Sequence, residues 1–173
     1  LNLNPVIVYG TKWSQKSQDL PITSISISAK DIALQNPQTA ADMLAGSGYV
    51  YVQKSQQGGG SPMIRGFSTN RLLYSVDGVR MNTAIFRGGN IQNVISLDPF
   101  SIEHSEVIFG PGSVVYGSDA IGGVMGFQTL SAKLSLDEKL LVSGKAVVRY
   151  STANTEKTGH FDVNVGGQKW AAV

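Results

Sequence analysis

The spacing of apolar residues changes character near residue 130. Before it, hydrophobic runs are short and broken by glycine, proline and asparagine. Val6-Ile7-Val8-Tyr9 is β-prone, and Thr11 to Asp19 is a polar lead-in without pattern. Ile22 to Ser28 alternates, with Ile25 and Ile27 on one face, and predicts a strand. Ser28 with Asp31 three residues later starts a short helix, Ala29 to Leu34, ended by Asn36-Pro37. Thr39 caps a second helix, Ala40 to Ala45, which Gly46 closes. Tyr49 to Val52, Met63 to Phe67 and Leu72 to Val76 read as strands, the last turning at Asp77-Gly78. Residues 81–97 have no period and predict an exposed loop. Ser101 to Phe109 is strand-like, Gly110 to Ser113 a tight turn, and Ile121 to Thr129 a glycine-rich strand.

Beyond residue 130 the period is two and sustained. Leu140, Val142, Gly144, Ala146, Val148 and Tyr150 alternate with Leu141, Ser143, Lys145, Val147 and Arg149. After the polar stretch Ser151 to Gly159, Phe161, Val163 and Val165 alternate with His160, Asp162, Asn164 and Gly166. A run of this length matches the ~9–11 residues of a tilted membrane strand. A soluble sheet would show the same period, so alternation leaves both open.

Composition narrows the class. The chain has 173 residues, 42% of them hydrophobic and only 15% charged, with 20 glycines and no cysteine. That excludes a disulfide scaffold and a thiolate metal site, and the apolar fraction argues against disorder. No apolar run is long enough for a membrane helix. Polarity comes instead from 19 Ser, 10 Gln and 9 Asn, which suits a surface that is covered or faces confined water. Residues 1–130 balance eight Lys/Arg against eight Asp/Glu, so the net charge of +2 sits in the last 43 residues. It is too diffuse for a nucleic-acid footprint. No secretion leader opens the chain, which leaves a cytosolic protein or one whose leader has been removed.

Candidate chemistry is sparse. The glycines from Gly110 to Gly123 lack the Gly-Lys-Ser/Thr of a phosphate loop. His104 and His160 each stand without a second histidine or a carboxylate at ligand spacing. Glu103 and Glu106 fall on opposite faces of a strand by parity, and no nucleophile elbow appears. Neither enzyme chemistry nor a cofactor is implied. An ionic set stands out: Arg65, Arg71, Arg80 and Arg87 within 23 residues, with Asp77, Asp98, Glu103 and Glu106. On an open surface these charges contribute little; against a wall they would act as positional locks.

The motifs carry a resemblance. Ile64-Arg65-Gly66-Phe67, Tyr74-Ser75-Val76-Asp77-Gly78-Val79-Arg80, Glu103 to Ser113, and Val115-Tyr116-Gly117-Ser118-Asp119-Ala120-Ile121-Gly122-Gly123-Val124 resemble, in order, the plug segments of TonB-dependent outer-membrane receptors. Asn4 to Thr11 is similar to a TonB box, with Asn4 and Pro5 in place of its acidic start and threonine. The resemblance implies an α+β plug, a small mixed sheet with short helices inside a barrel of about 22 strands. It implies TonB docking by strand addition through Pro5, Val6, Ile7, Val8 and Tyr9. Ligand-facing loops would hold Phe67, Asn70, Arg71, Asn82, Phe86, Arg87, Asn90 and Gln92, and Arg65, Arg80, Glu103 and Glu106 would meet the barrel. His104 and Phe109 stand where the family often has arginines. The runs Gln57 to Phe67 and Phe86 to Val94 look most like haem or haemoprotein receptors of Bacteroidota type. Several of those carry a histidine where this chain has Asn90, so siderophores and other metal chelates stay open beside haem.

The expected organisation is a box and linker over 1–19, a plug over 20–130, and the first two barrel strands over 131–173. The expected function is gated, energy-coupled nutrient uptake across the outer membrane, with the TonB C-terminal domain and the receptor's own barrel as partners. The alternative is a freestanding periplasmic or extracellular binding module of plug-like fold. Twenty-two strands of ~10 residues require about 220 residues before loops, so this chain reads as part of a longer receptor that could not transport by itself.

Overall fold

The computed structural model describes residues 6–7, 15–16, 22–54, 60–68, 71–81 and 97–173. It divides into two compact units, Leu1–Thr129 and Leu130–Val173.

In the first unit, β1 (Val6–Ile7) pairs antiparallel with β2 (Gln15–Lys16). β3 (Ser24–Ser28) runs straight into α1 (Ala29–Gln35). The switch is made by Ser28, whose hydroxyl accepts the Asp31 N–H at 3.3 Å while the Asp31 carboxylate accepts the Ser28 N–H at 3.0 Å. That is a reciprocal capping box. Asn36, at φ 47°, stops the helix in the left-handed conformation that asparagine tolerates. α2 (Ala40–Gly46) is capped by Thr39, which accepts the Asp42 N–H at 3.1 Å. Gly46 is its last helical residue rather than its terminator, and the left-handed residue is Gly48.

β4 (Tyr51–Gln53) pairs antiparallel with β5 (Ser61–Met63). Then follow β6 (Leu72–Val76), β7 (Val79–Arg80), a 3-10 turn Pro99–Ser101, β8 (Ile102–Phe109), α3 (Ser113–Tyr116) and β9 (Gly123–Thr129). The five-stranded sheet has the order β3-β8-β9-β6-β7. Its β6/β9 pair is parallel and the others antiparallel, so the sheet is mixed. With its short helices, this is the α+β plug architecture expected from the sequence.

One face of the sheet makes the core. Ile27, Leu72, Tyr74, Val107, Phe109, Met125 and Phe127 bury against Ile32 of α1 and Ala40, Ala41, Met43 and Leu44 of α2. Tyr74 and Phe127 meet edge-on with centroids 5.0 Å apart, an arrangement that adds about 0.5–1.5 kcal/mol beyond area burial. Burial pushes the Tyr74 phenol well above its ordinary pKa.

Three expectations are corrected. Met63 to Phe67 is not one strand: Arg65 (φ 49°) and Gly66 (φ 83°) make a tight turn bridged by Ile64 and Phe67. Two consecutive positive φ angles are the signature of a type I′ turn, and an arginine at the first is not a signal that sequence offers. The Gly110–Ser113 turn leads into α3, which had no predicted element. β8 carries a bulge between Ile102 and His104, so Ile102 joins the core although its parity matches His104. The parity argument separating Glu103 from Glu106 does not hold across that bulge.

The second unit is built on β10 (Leu141–Ser151) and β11 (Glu156–Gly166), antiparallel over eleven pairs, with β12 (Ala171–Ala172) added to β11. The turn is shorter than the polar stretch Ser151 to Gly159 suggested, because strand pairing continues to Ser151↔Glu156. Asn164 sutures the approach to the hairpin: its carbonyl accepts the Lys133 N–H at 2.7 Å and its amide donates to the Lys133 carbonyl at 3.2 Å.

Candidate functional site

The second face of the five-stranded sheet is unusual in being polar at its centre. Alternation along β3 places Ser24, Ser26 and Ser28 in one row, and register aligns Ser26 with Glu106 and Ser28 with His104. On β9, Gly126 and Gln128 stand opposite the same two residues. Glu106 is fully buried, and its Oε1 lies 2.9 Å from His104 Nε2. His104 Nδ1 lies 3.5 Å from the Ser26 hydroxyl. A small apolar group, Leu73, Ile108, Ala120 and Val124, with Ile22 and Tyr116 packed against it, closes one end of this face.

The histidines therefore do have carboxylate neighbours. Each sits two residues before an acid on the same strand face: His104 before Glu106, and His160 Nε2 3.0 Å from Asp162 Oδ2. The i, i+2 spacing was visible in the sequence as a period-two signal. Among the described residues, no group of three or more His, Asp or Glu could hold a metal.

The ionic set resolves into different partners from those its spacing suggested. Arg80 pairs with Asp119, which was not among the acids expected to face the arginines. Among the described residues, no arginine is paired with Asp77. At φ 49° in the Asp77-Gly78 turn, its carboxylate accepts the Thr129 N–H at 2.9 Å and the Thr129 hydroxyl at 2.7 Å. Its own N–H donates to the Phe127 carbonyl at 2.8 Å. The turn between β6 and β7 thus clamps the end of β9. Arg65 lies over the Phe109 ring at 5.5 Å, and Tyr49 meets the same ring at 6.0 Å. A cation–π contact occupies the place where an arginine-for-phenylalanine difference left the charge pattern open. Glu103 is the partly exposed residue of the bulge.

Of the expected ligand-facing residues, Phe67 and Arg71 are described. Both sit where β6 begins and β9 begins, because the Gly122 N–H donates to the Arg71 carbonyl at 2.8 Å. Phe67 packs directly on Gly122: a Cβ there would stand 2.3 Å from Phe67 Cβ. α3 and its flanking glycines lie at the same end, with the Gly110 N–H bonded to the Gly122 carbonyl at 3.3 Å. Asn70, Asn82, Phe86, Arg87, Asn90 and Gln92 lie outside the described residues, as do Pro5, Val8 and Tyr9 of the box. Val6 and Ile7 form β1.

The hairpin of the second unit sorts most of its apolar and polar side chains onto separate faces, with Lys157 the charge on the first and Leu141 and Val147 the apolar residues on the second. In register, Val142↔Val165, Gly144↔Val163, Ala146↔Phe161 and Val148↔Gly159 share one face. Ser143↔Asn164, Lys145↔Asp162, Val147↔His160, Arg149↔Thr158 and Ser151↔Glu156 share the other. The apolar face is the open one, Val148 being 89% and Phe161 75% exposed. On the polar face Arg149 is buried, paired with Glu156 and donating to the Thr158 hydroxyl at 3.1 Å. A hairpin built for water would expose the second face and bury the first.

Residues 16–124 match the family model described as TonB-dependent Receptor Plug Domain. The chain is 37% identical over 134 residues to the vitamin B12 transporter BtuB of Vibrio vulnificus, covering 75% of this chain and 21% of that protein. It is 30% identical over 128 residues to a hemin receptor of Yersinia pestis, covering 73% and 18%. Among solved structures, the pyoverdine outer membrane receptor FpvA of Pseudomonas aeruginosa PAO1 superposes with a TM-score of 0.71 at 17% identity, over 95% of this chain and 22% of that one. The chain spans about a fifth of the length of the curated relatives it matches.

Proposed function

This chain belongs to the TonB-dependent receptor plug-domain family, and on that premise we propose that it is the plug and first two barrel strands of an outer-membrane transporter. The plug, over 20–130, would sit in the lumen of the barrel that 131–173 begins, with 1–19 supplying the TonB box and linker. The work is gated, energy-coupled uptake of a scarce nutrient, with binding and movement but no bond chemistry. Relatives are named for vitamin B12 and hemin, and a structural neighbour for pyoverdine. Haem-type and siderophore-type metal chelates are the ligand classes we propose here.

The observation that carries this reading is the inverted hairpin. Its open apolar face fits lipid, and its polar face fits a hydrated lumen. A freestanding binding module would have no use for such strands. Arg65, Arg80 and Glu103 are the proposed polar contacts to the barrel wall, whereas Glu106, fully buried beside His104, stands back from it; the loops bearing Phe67, Asn70, Arg71, Asn82, Phe86, Arg87, Asn90 and Gln92 are the proposed ligand-facing surface.

The test is placement of a charge on the lipid-side face of the full receptor. A cation at a lipid-facing midplane position costs about 2–4 kcal/mol, so Phe161→Arg should sharply reduce receptor in the outer-membrane fraction. Ser143→Arg, exposed on the opposite face of the same hairpin, should not. Equal recovery of both variants at the wild-type level would remove the membrane assignment. Arg87→Ala and Asn90→Ala should each weaken binding of haemin, cyanocobalamin or a ferric siderophore, whichever the wild-type receptor takes up. Unmoved affinity in both would dismiss the loop site.

A further inference from the structure

We propose that Gln15 and Lys16 form a backing strand for the TonB box, so that TonB docks on a two-stranded ribbon and not on a lone extended segment. This rests on the reading of Val6 to Tyr9 as a TonB box.

The observation is the pairing of β1 with β2. Val6 stands opposite Lys16 and Ile7 opposite Gln15 in antiparallel register. Successive residues of an antiparallel strand turn their N–H and C=O groups to opposite edges. A two-residue ladder therefore engages the backbone of one of Val6 and Ile7, and directs the other's groups to the outer edge. Among the described residues, no further strand pairs with either β1 or β2. Among the described residues, β1 is thus paired along one edge and carries no strand partner along the other.

Such an edge favours addition of a third strand. Fixing an extended backbone before docking removes part of the ordering cost that a free segment incurs on binding. The ribbon in turn gains from its guest, since two strands alone are marginal in water and three are the smallest stable sheet. The box-and-backing pair is then weak by itself and firm only with its partner in place. That behaviour suits a coupling element engaged and released in each transport cycle. The contribution is one of backbone geometry, so it should survive loss of the Gln15 and Lys16 side chains.

The experiment measures affinity of the full receptor for the TonB C-terminal domain of the same organism by titration calorimetry. Three variants are compared with wild type: Gln15→Pro with Lys16→Pro, Gln15→Ala with Lys16→Ala, and Ile7→Pro. The double proline removes both β2 N–H groups and should weaken binding by roughly 3–10-fold through lost preorganisation. The double alanine keeps the backbone and should bind as wild type. Binding by the double proline that is unchanged overturns the proposal. Tighter binding overturns it too, because β2 would then be masking the box. An equal loss in both double variants also overturns it, since the side chains would be responsible. Ile7→Pro tests the underlying reading separately: it should abolish binding and uptake while ligand binding remains. Wild-type affinity in that variant would dispose of the box assignment itself.

Discussion

The plug sheet and the hairpin use the same period-two alternation for opposite environments. In the sheet, the apolar rows of β3, β8, β9 and β6 turn onto α1 and α2, and the polar row holds the buried Glu106 against the half-buried His104. In the hairpin, the apolar row is the open one, and the polar row carries Arg149 with Glu156 and Thr158. Periodicity tells which residues share a face but not which solvent that face meets. Helices following β3 decide the matter for the sheet; nothing comparable covers Val148 or Phe161.

The contrast is broken most severely by deleting one ring in each unit. Phe127→Ala removes a fully buried side chain that meets Tyr74 edge-on. It should cost about 3–5 kcal/mol, read as a lower urea midpoint of the chain by circular dichroism. Phe161→Ala removes a ring that is mostly in solvent and should change the same midpoint little. Comparable losses in both would mean that the hairpin face is covered in the isolated chain.

The buried acid comes next. His104→Ala withdraws one partner from a fully buried carboxylate, and hydrogen bonds to charged groups contribute about 1.5–3 kcal/mol. His160→Ala removes the matching contact to Asp162, whose side chain keeps 19% of its surface exposed where that of Glu106 keeps none, and should cost less. Urea titration of both variants ranks them. The reverse order would show that the polar face of the sheet is the better solvated.

Gly122→Ala probes how closely the loop end of the plug is packed. Its Cβ would meet Phe67 Cβ and Cγ, atoms close to the backbone that cannot swing aside. Overpacking of this kind costs about 1–3 kcal/mol. Gly159→Ala, which meets nothing within 4 Å on the hairpin, should be tolerated. Near-wild-type stability of Gly122→Ala would mean that Phe67 can leave its place, and that the loop adapts to ligand.

Features set by neighbouring residues were legible beforehand. Ser28 with Asp31, Thr39 before α2, the Asp77-Gly78 turn and the eleven-residue alternation of β10 all act within a few positions of themselves. What escaped depends on partners far along the chain. Arg80 finds Asp119 and Asp77 finds Thr129 only once β6 lies parallel to β9, a crossover that no local pattern encodes. The Arg65-Gly66 turn was hidden because arginine rarely takes a positive φ, and the contact of its guanidinium with Phe109 is long-range. The bulge at Glu103 shifts parity within one strand, which a strict odd-even reading cannot register. The His104–Glu106 contact was within reach: residues i and i+2 of any strand share a face.

The smallest expected effect concerns the cap that turns β3 into α1. The Ser28 hydroxyl and N–H hold the Asp31 carboxyl below its usual range. A depressed carboxyl in the folded state means the unfolded chain binds its proton first as pH falls. Its contribution is therefore complete above the unfolded value near 3.9 and is lost as pH drops through the lower folded value. Asp31→Asn should remove that contribution and flatten the acid limb of the stability curve, leaving the limb above about pH 5 parallel to wild type. Ser28→Ala removes the hydroxyl half of the box and should cost about 1 kcal/mol near neutrality. No equivalent cap exists in the strand-only hairpin, so these losses should appear in plug unfolding alone, followed by hydrogen exchange of the α1 amides. Exchange of α1 amides that is unchanged in Ser28→Ala would show that packing of Ile32 against the sheet, not the cap, sets where this helix begins.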